Sequence, residues 1–167
     1  MNFLSSLKKP LISTNITMET NDQLIETDIE SLSAVEKVRF FFDNVWSAPY
    51  NVDLIDQLMV EDFEITTAGK VMSGREAFKN WVTVFLKNVE NSHLETLDVF
   101  ESACGTKVVV RWKLTGVNNG FMELPPKKEQ FELFGTAIWL IRDNKLARNW
   151  VERNSFEVYQ ELTNRKA

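Results

Sequence analysis

The chain is 167 residues long, the size of one domain and enough to bury a sizeable core. A net charge of −5, with Lys and Arg scattered among acids, excludes a nucleic-acid surface, which needs clustered cations. One cysteine and one histidine exclude an intrachain disulfide and the usual zinc sets, and no stretch is apolar enough to span a bilayer.

Other classes fall for related reasons. The six glycines form no phosphate-cradling loop, so neither a nucleotide cofactor nor a metal is expected. The single thiol, Cys104, lies in the turn-like "ESACGTK" and far from His93, so it reads as a loop thiol in a reducing, cytoplasmic setting. The aromatic content is skewed, with 12 Phe and 5 Trp against 2 Tyr, and these rings must be buried in a core, a pocket or an interface.

In chain order, residues 1–30 read as a flexible N-terminal extension. Their apolar run is broken by "KKP", unlike a secretory signal, although Phe3, Leu4, Leu7 and Leu11 could form a short amphipathic helix. The folded domain is expected over residues 31–167. Ser33 and Glu36 form a capping-box pair, and Val35, Val38, Phe42, Val45 and Trp46 share a helical face that ends before Pro49. "DLIDQLM" reads as a short second helix capped by Asp53, and "EDFEITTAG" as a strand turning at Gly69. Ser73 and Glu76 suggest a second capping box, opening a helix with Phe78, Trp81, Val82, Phe85 and Val89 on one face.

From Ser92 onward the pattern becomes extended. "HLETLDVF", "KVVVRWKLTG", "EQFELFGTAIWLIR" and "KLARNWVER" read as four strands separated by "ACGT", "VNNGFMELPPKK" and "RDNK". Short links make such strands pair antiparallel. "SFEVYQEL" reads as a closing helix. Three helices followed by a meander describe an α+β domain with helices on one face of a sheet.

This order resembles the nuclear transport factor 2-like superfamily, and within it the SnoaL-like polyketide cyclases. The likeness covers roughly residues 33–163. It is carried by "VDLIDQLMVEDFEI", "GREAFKNWV", the double proline Pro125–Pro126 in "LPPKKEQFELFG", and "RDNKLARNW". It implies a cone-shaped, strongly curved mixed sheet wrapped around three N-terminal helices, a cystatin-like roll with a small-molecule pocket at its open end. It also implies cofactor-free proton transfer on a hydrophobic polyketide- or terpenoid-like substrate, and a homodimer through the outer sheet face. Where SnoaL-like cyclases place their aspartate and histidine, this chain carries Asn154 and Asn118, and Thr67 stands nearest to the aspartate of ketosteroid isomerase.

The candidate site residues follow from both readings. In the strand "RNWVERNSF", Arg148, Trp150, Glu152 and Asn154 share one face, and Asn149, Val151 and Arg153 the other. Glu152 beside Trp150 is either a base whose pKa is raised in an aromatic pocket or a solvated charge paired with an arginine. Asn154 is either the cap of the last helix or, with Asn118 and Tyr50, a group that polarises a carbonyl. Tyr50 has the bland alternative of closing a loop. Trp46, Phe63, Trp81, Phe85, Trp112, Phe121, Phe134 and Trp150 are expected to meet the ligand. Two function classes stand open: a cyclase, isomerase or dehydratase, and a non-catalytic ligand-binding or dimerising module.

Overall fold

The computed structural model describes residues 28–164, so the expected N-terminal extension lies almost wholly outside the described residues. The first long helix, α1 (Ala34–Val45), opens on the expected capping box: Ser33 Oγ accepts from the Glu36 amide, and the Glu36 carboxylate accepts from the Ser33 amide. Its buried face is Val38, Phe41, Phe42 and Val45. Lys37 is buried as well, with Nζ donating to the Leu32 carbonyl and, at 3.0 Å, to Asn144 Oδ1. Helix α2 (Leu54–Leu58) follows. Asp53 stands at its start but makes no capping bond; its carboxylate pairs with Lys79 at 2.7 Å instead.

Strand β1 (Met59–Thr67) returns through Ala68 and Gly69, both at positive φ, into a short strand β2 (Lys70–Ser73) absent from the sequence reading. That strand displaces the second capping box. Ser73 belongs to β2, its hydroxyl donates to Glu64 Oε1 at 3.2 Å, and Gly74 opens helix α3 (Arg75–Asn88) without a side-chain cap. Phe78, Val82 and Phe85 form the buried face of α3 as expected.

The four later strands appear where the alternation placed them: β3 (Val89–Glu101), β4 (Lys107–Asn118), β5 (Gln130–Arg142) and β6 (Lys145–Arg153), followed by α4 (Ser155–Asn164). The sheet runs β2-β1-β6-β5-β4-β3, antiparallel except between β1 and β6. The fold is therefore α+β with a mixed, curved sheet. Curvature comes with register shifts: two in β3 and one in β6 that each add one residue, and a larger one in β1 between Met59 and Glu64. Asp143 and Asn144, both at positive φ, close the β5–β6 hairpin.

The concave face is filled mainly by rings. Phe41 meets Trp139 edge-on at 5.4 Å, and Phe63 meets Phe78 at 4.9 Å between centroids. Gly135 on β5 lies opposite Trp112 on β4, where a Cβ would sit 2.2 Å from the indole. The Trp112 ring thus occupies the space of the missing side chain. Gly135→Ala forces that ring to move and is expected to destabilise the domain by about 1–3 kcal/mol, the usual range for overpacking. A urea midpoint unchanged from wild type would show that the ring does not rely on this glycine.

Candidate functional site

A cavity remains inside the curved sheet. Phe41, Phe42 and Trp46 border it from α1 and its end, and Phe78, Trp81 and Phe85 from α3. The sheet contributes Ile65, Leu94, Trp112, Leu114, Leu133, Ala137, Trp139, Asn149, Val151 and Arg153. Its volume is about 40 Å³. That is room for about three waters, or for one small ring when side chains yield slightly.

The register of β6 decides which polar groups meet this space. Arg148 pairs with Leu140 on β5, but Leu146 pairs with Ile141, so one residue, Ala147, is left over. Leu146 and Ala147 are both buried, and beyond them the inward residues are Asn149, Val151 and Arg153. The expectation that Trp150 and Glu152 face the pocket is therefore corrected. Trp150 lies on the outer face beneath the Arg148 guanidinium, 4.9 Å from its ring centroid, and Glu152 is exposed beside Arg111 and Thr136. A one-residue slip moves every following side chain to the opposite face, which is the physical reason.

The other expected site residues divide between lining and scaffold. Trp46, Trp81, Phe85 and Trp112 border the cavity. Phe63 is fully buried behind it, stacked on Trp139, and Phe121 packs on Phe85 and Phe131 near the η turn Phe121–Glu123. Phe134 is 40% exposed on the outer face. Tyr50 donates to the Ser92 carbonyl at 2.8 Å, fastening the loop after α1 to β3. Asn118 Oδ1 accepts from the Gly120 and Phe121 amides, and its Nδ2 donates to the Pro125 carbonyl, so this amide holds the β4–β5 loop together. Asn154 precedes α4, but its Oδ1 accepts from the Phe134 amide at 2.8 Å; the helix's first bond goes to its backbone carbonyl instead. Neither Asn118 nor Asn154 lines the cavity.

Three polar residues of the lining went unrecognised in the sequence reading. Trp139 and Asn149 are 1% and 4% exposed, and neither Trp139 Nε1 nor Asn149 Oδ1 has a hydrogen-bond partner. Buried polar atoms of this kind are ordinarily paired. The third, Arg153, lies with its guanidinium carbon 5.7 Å from the Trp81 ring centroid. Burial pushes its pKa below the ordinary guanidinium value, with Glu152 opposing that effect, and no carboxylate forms an ion pair with it among the described residues. The adjacent apolar pair Leu146–Ala147, which breaks strict alternation, was the available signal that the inward face would change.

A family model for the SnoaL-like polyketide cyclases matches residues 36–162. The chain belongs to the SnoaL-like polyketide cyclase family. The fold agrees with that of solved relatives. A Jannaschia sp. protein described as a SnoaL-like polyketide cyclase superposes with a TM-score of 0.71 at 19% identity, covering 79% of this chain and 92% of the other. A Bacillus cereus protein described as a polyketide cyclase gives 0.61 at 26% identity, covering 80% and 86%. A Catenulispora acidiphila protein with a ketosteroid isomerase-like fold, in complex with trimethylamine, gives 0.64 at 16% identity, covering 79% and 95%. No curated protein matches the chain in sequence.

Elsewhere on this SnoaL-like domain, Cys104 is exposed in the β3–β4 turn. Hydrogen bonds with the Ser102 and Thr106 side chains lower its pKa to about 7. No helix among the described residues is long and apolar enough to cross a membrane. Because Glu152 is exposed, Glu152→Gln is expected to change stability by less than about 0.5 kcal/mol, as for most surface substitutions. A larger drop in the urea midpoint would point to a structural role for that carboxylate.

Proposed function

We propose that this SnoaL-like domain holds a small, mostly apolar molecule inside its curved sheet and does so without a carboxylate base of its own. One observation carries the reading: the inward row of β6 is Asn149, Val151 and Arg153, while Glu152 is exposed on the other face. A general base must come within hydrogen-bond reach of the proton that it takes. None of the side chains lining the cavity is an aspartate, glutamate or histidine. The cavity's size supports a ring-sized ligand; a polyketide- or terpenoid-sized one requires the aromatic walls to part.

Family membership favours a second reading, a cyclase or isomerase. In that case Arg153, the Trp139 N–H and Asn149 stabilise a developing oxyanion. Water or the substrate itself accepts the proton. The two readings share the cavity and differ in turnover.

Toluene tests the shared part. At one hundred times its Kd it adds about 2.7 kcal/mol to the unfolding free energy by mass action. Ala137→Leu, which extends a larger side chain into the cavity, removes the effect. If toluene leaves the wild-type melting temperature unchanged throughout its soluble range, the cavity is not a ligand site.

The outer face supports a homodimer. Register places Phe100, Val109, Ile138 and Trp150 in one cross-strand row over four strands. Phe100 and Ile138 are 54% and 38% exposed. Beside it runs the row Asp98, Arg111, Thr136 and Glu152, whose mixed charges suit a two-fold, self-complementary contact. Ile138→Lys is expected to convert a dimer to a monomer in light scattering without lowering the melting temperature of the monomer. A wild-type monomer at all concentrations would remove this part of the proposal.

A further inference from the structure

We infer that the ligand is an apolar monocarboxylate of about the size of benzoate, its anion held by Arg153 and its ring enclosed by the aromatic walls. This inference rests on the ligand-binding reading above and gives it a chemical class.

The argument begins with charge. Arg153 is the one charged side chain among the residues lining the cavity. An arginine partly withdrawn from water ordinarily has a carboxylate opposite it, because an unpaired buried charge is costly. Here no carboxylate forms a salt bridge with it among the described residues, and Glu152 acts on it only as a longer-range attraction. Glu152, its neighbour in sequence, is exposed and does not line the cavity, although both residues border a separate open hollow on the outside of the sheet. The guanidinium instead lies over Trp81, whose ring also borders the cavity. A planar guanidinium packed on a ring still offers N–H groups in its plane, and these match the two oxygens of a carboxylate.

The second observation is independent of that charge. The Trp139 N–H and the Asn149 amide oxygen are buried, belong to the same lining and have no hydrogen-bond partner. The indole is a donor only. The Asn149 amide presents either its oxygen or its NH₂ once rotated about its last bond, an orientation that ordinary evidence does not fix. One cation, one obligate donor and one adaptable amide together suit a ligand that accepts hydrogen bonds and carries negative charge. The rest of the lining is aliphatic or aromatic, so the remainder of the ligand is apolar. A dicarboxylate or a sugar would leave buried polar groups unpaired, at a penalty that a mostly hydrocarbon cavity cannot offset.

The lining also supplies its own reporter. Trp46, Trp81, Trp112 and Trp139 border the cavity, and the fifth tryptophan, Trp150, lies on the other face. The full chain is titrated with benzoate and, separately, with benzyl alcohol, its neutral counterpart, while tryptophan emission is followed. Benzoate is expected to bind at least about tenfold more tightly, the factor for one charge-assisted contact. Arg153→Met should abolish that preference, and Arg153→Lys should retain part of it, since lysine keeps the charge but not the planar fork. Equal binding of both probes by the wild type, or an undiminished preference in Arg153→Met, overturns the carboxylate inference and leaves apolar binding standing. Binding of neither probe overturns the ligand-binding reading and this inference with it. The wild-type comparison needs no variant, so it decides the matter even where Arg153→Met does not fold.

Discussion

Much about this domain's chemistry depends on one extra residue in strand β6. Up to Leu146 the strand keeps one parity against β5; at Ala147 it slips by one, and every later side chain changes face. Without the slip, Arg148, Trp150 and Glu152 would point among the rings of the core. With it, two of these polar groups remain on the surface, where Arg148 lies over Trp150 and within 3.4 Å of the Glu64 carboxylate. The same displacement brings Asn149 and Arg153 inward. The inward row of β6 therefore carries an amide and a guanidinium and no carboxylate.

The aromatic content explains why so few polar groups matter. Rings from α1, α3 and the sheet contact one another in a continuous series from Trp46 and Phe85 to Phe41, Phe78 and Trp139. Such contacts add roughly 0.5–1.5 kcal/mol per pair beyond simple burial. They also lower the effective dielectric around anything polar enclosed among them, so each unpaired donor or acceptor there counts for more than it would in water. The residues expected to polarise a carbonyl belong instead to the scaffold that holds these walls. Asn118 ties the β4–β5 loop, Asn154 extends the pairing of β5, and Tyr50 fastens the loop after α1.

Membership of the SnoaL-like family therefore fixes the architecture more firmly than the reaction. A shared fold supplies a lined concavity, and the chemistry belongs to the particular side chains that face into it. In this chain Asn118 and Asn154 are engaged in hydrogen bonds with backbone groups, and the inward polar groups are donors and an uncharged amide. Such a set is suited to holding an anion. It is poorly suited to removing a proton.

Several features were legible in the sequence because they depend on local chemistry. The Ser33–Glu36 box, the apolar faces of α1 and α3, the four long strands and the tight Asp143–Asn144 turn follow from capping, periodicity and backbone preference acting over a few residues. Trp46, Trp81, Phe85 and Trp112 were likewise recognisable as pocket walls, since rings of that size must be enclosed somewhere and the resemblance says where. The tertiary structure alone decided the rest. Strand β2 is four residues of mixed polarity, extended because it pairs with β1, and it takes Ser73 away from the cap of α3. The face of β6 that turns inward depends on a bulge set by pairing with β5; the apolar pair Leu146–Ala147 hints at it, but only the pairing places it. Sequence determines which residues alternate along a strand; only the register with its neighbours determines which half of them faces the cavity.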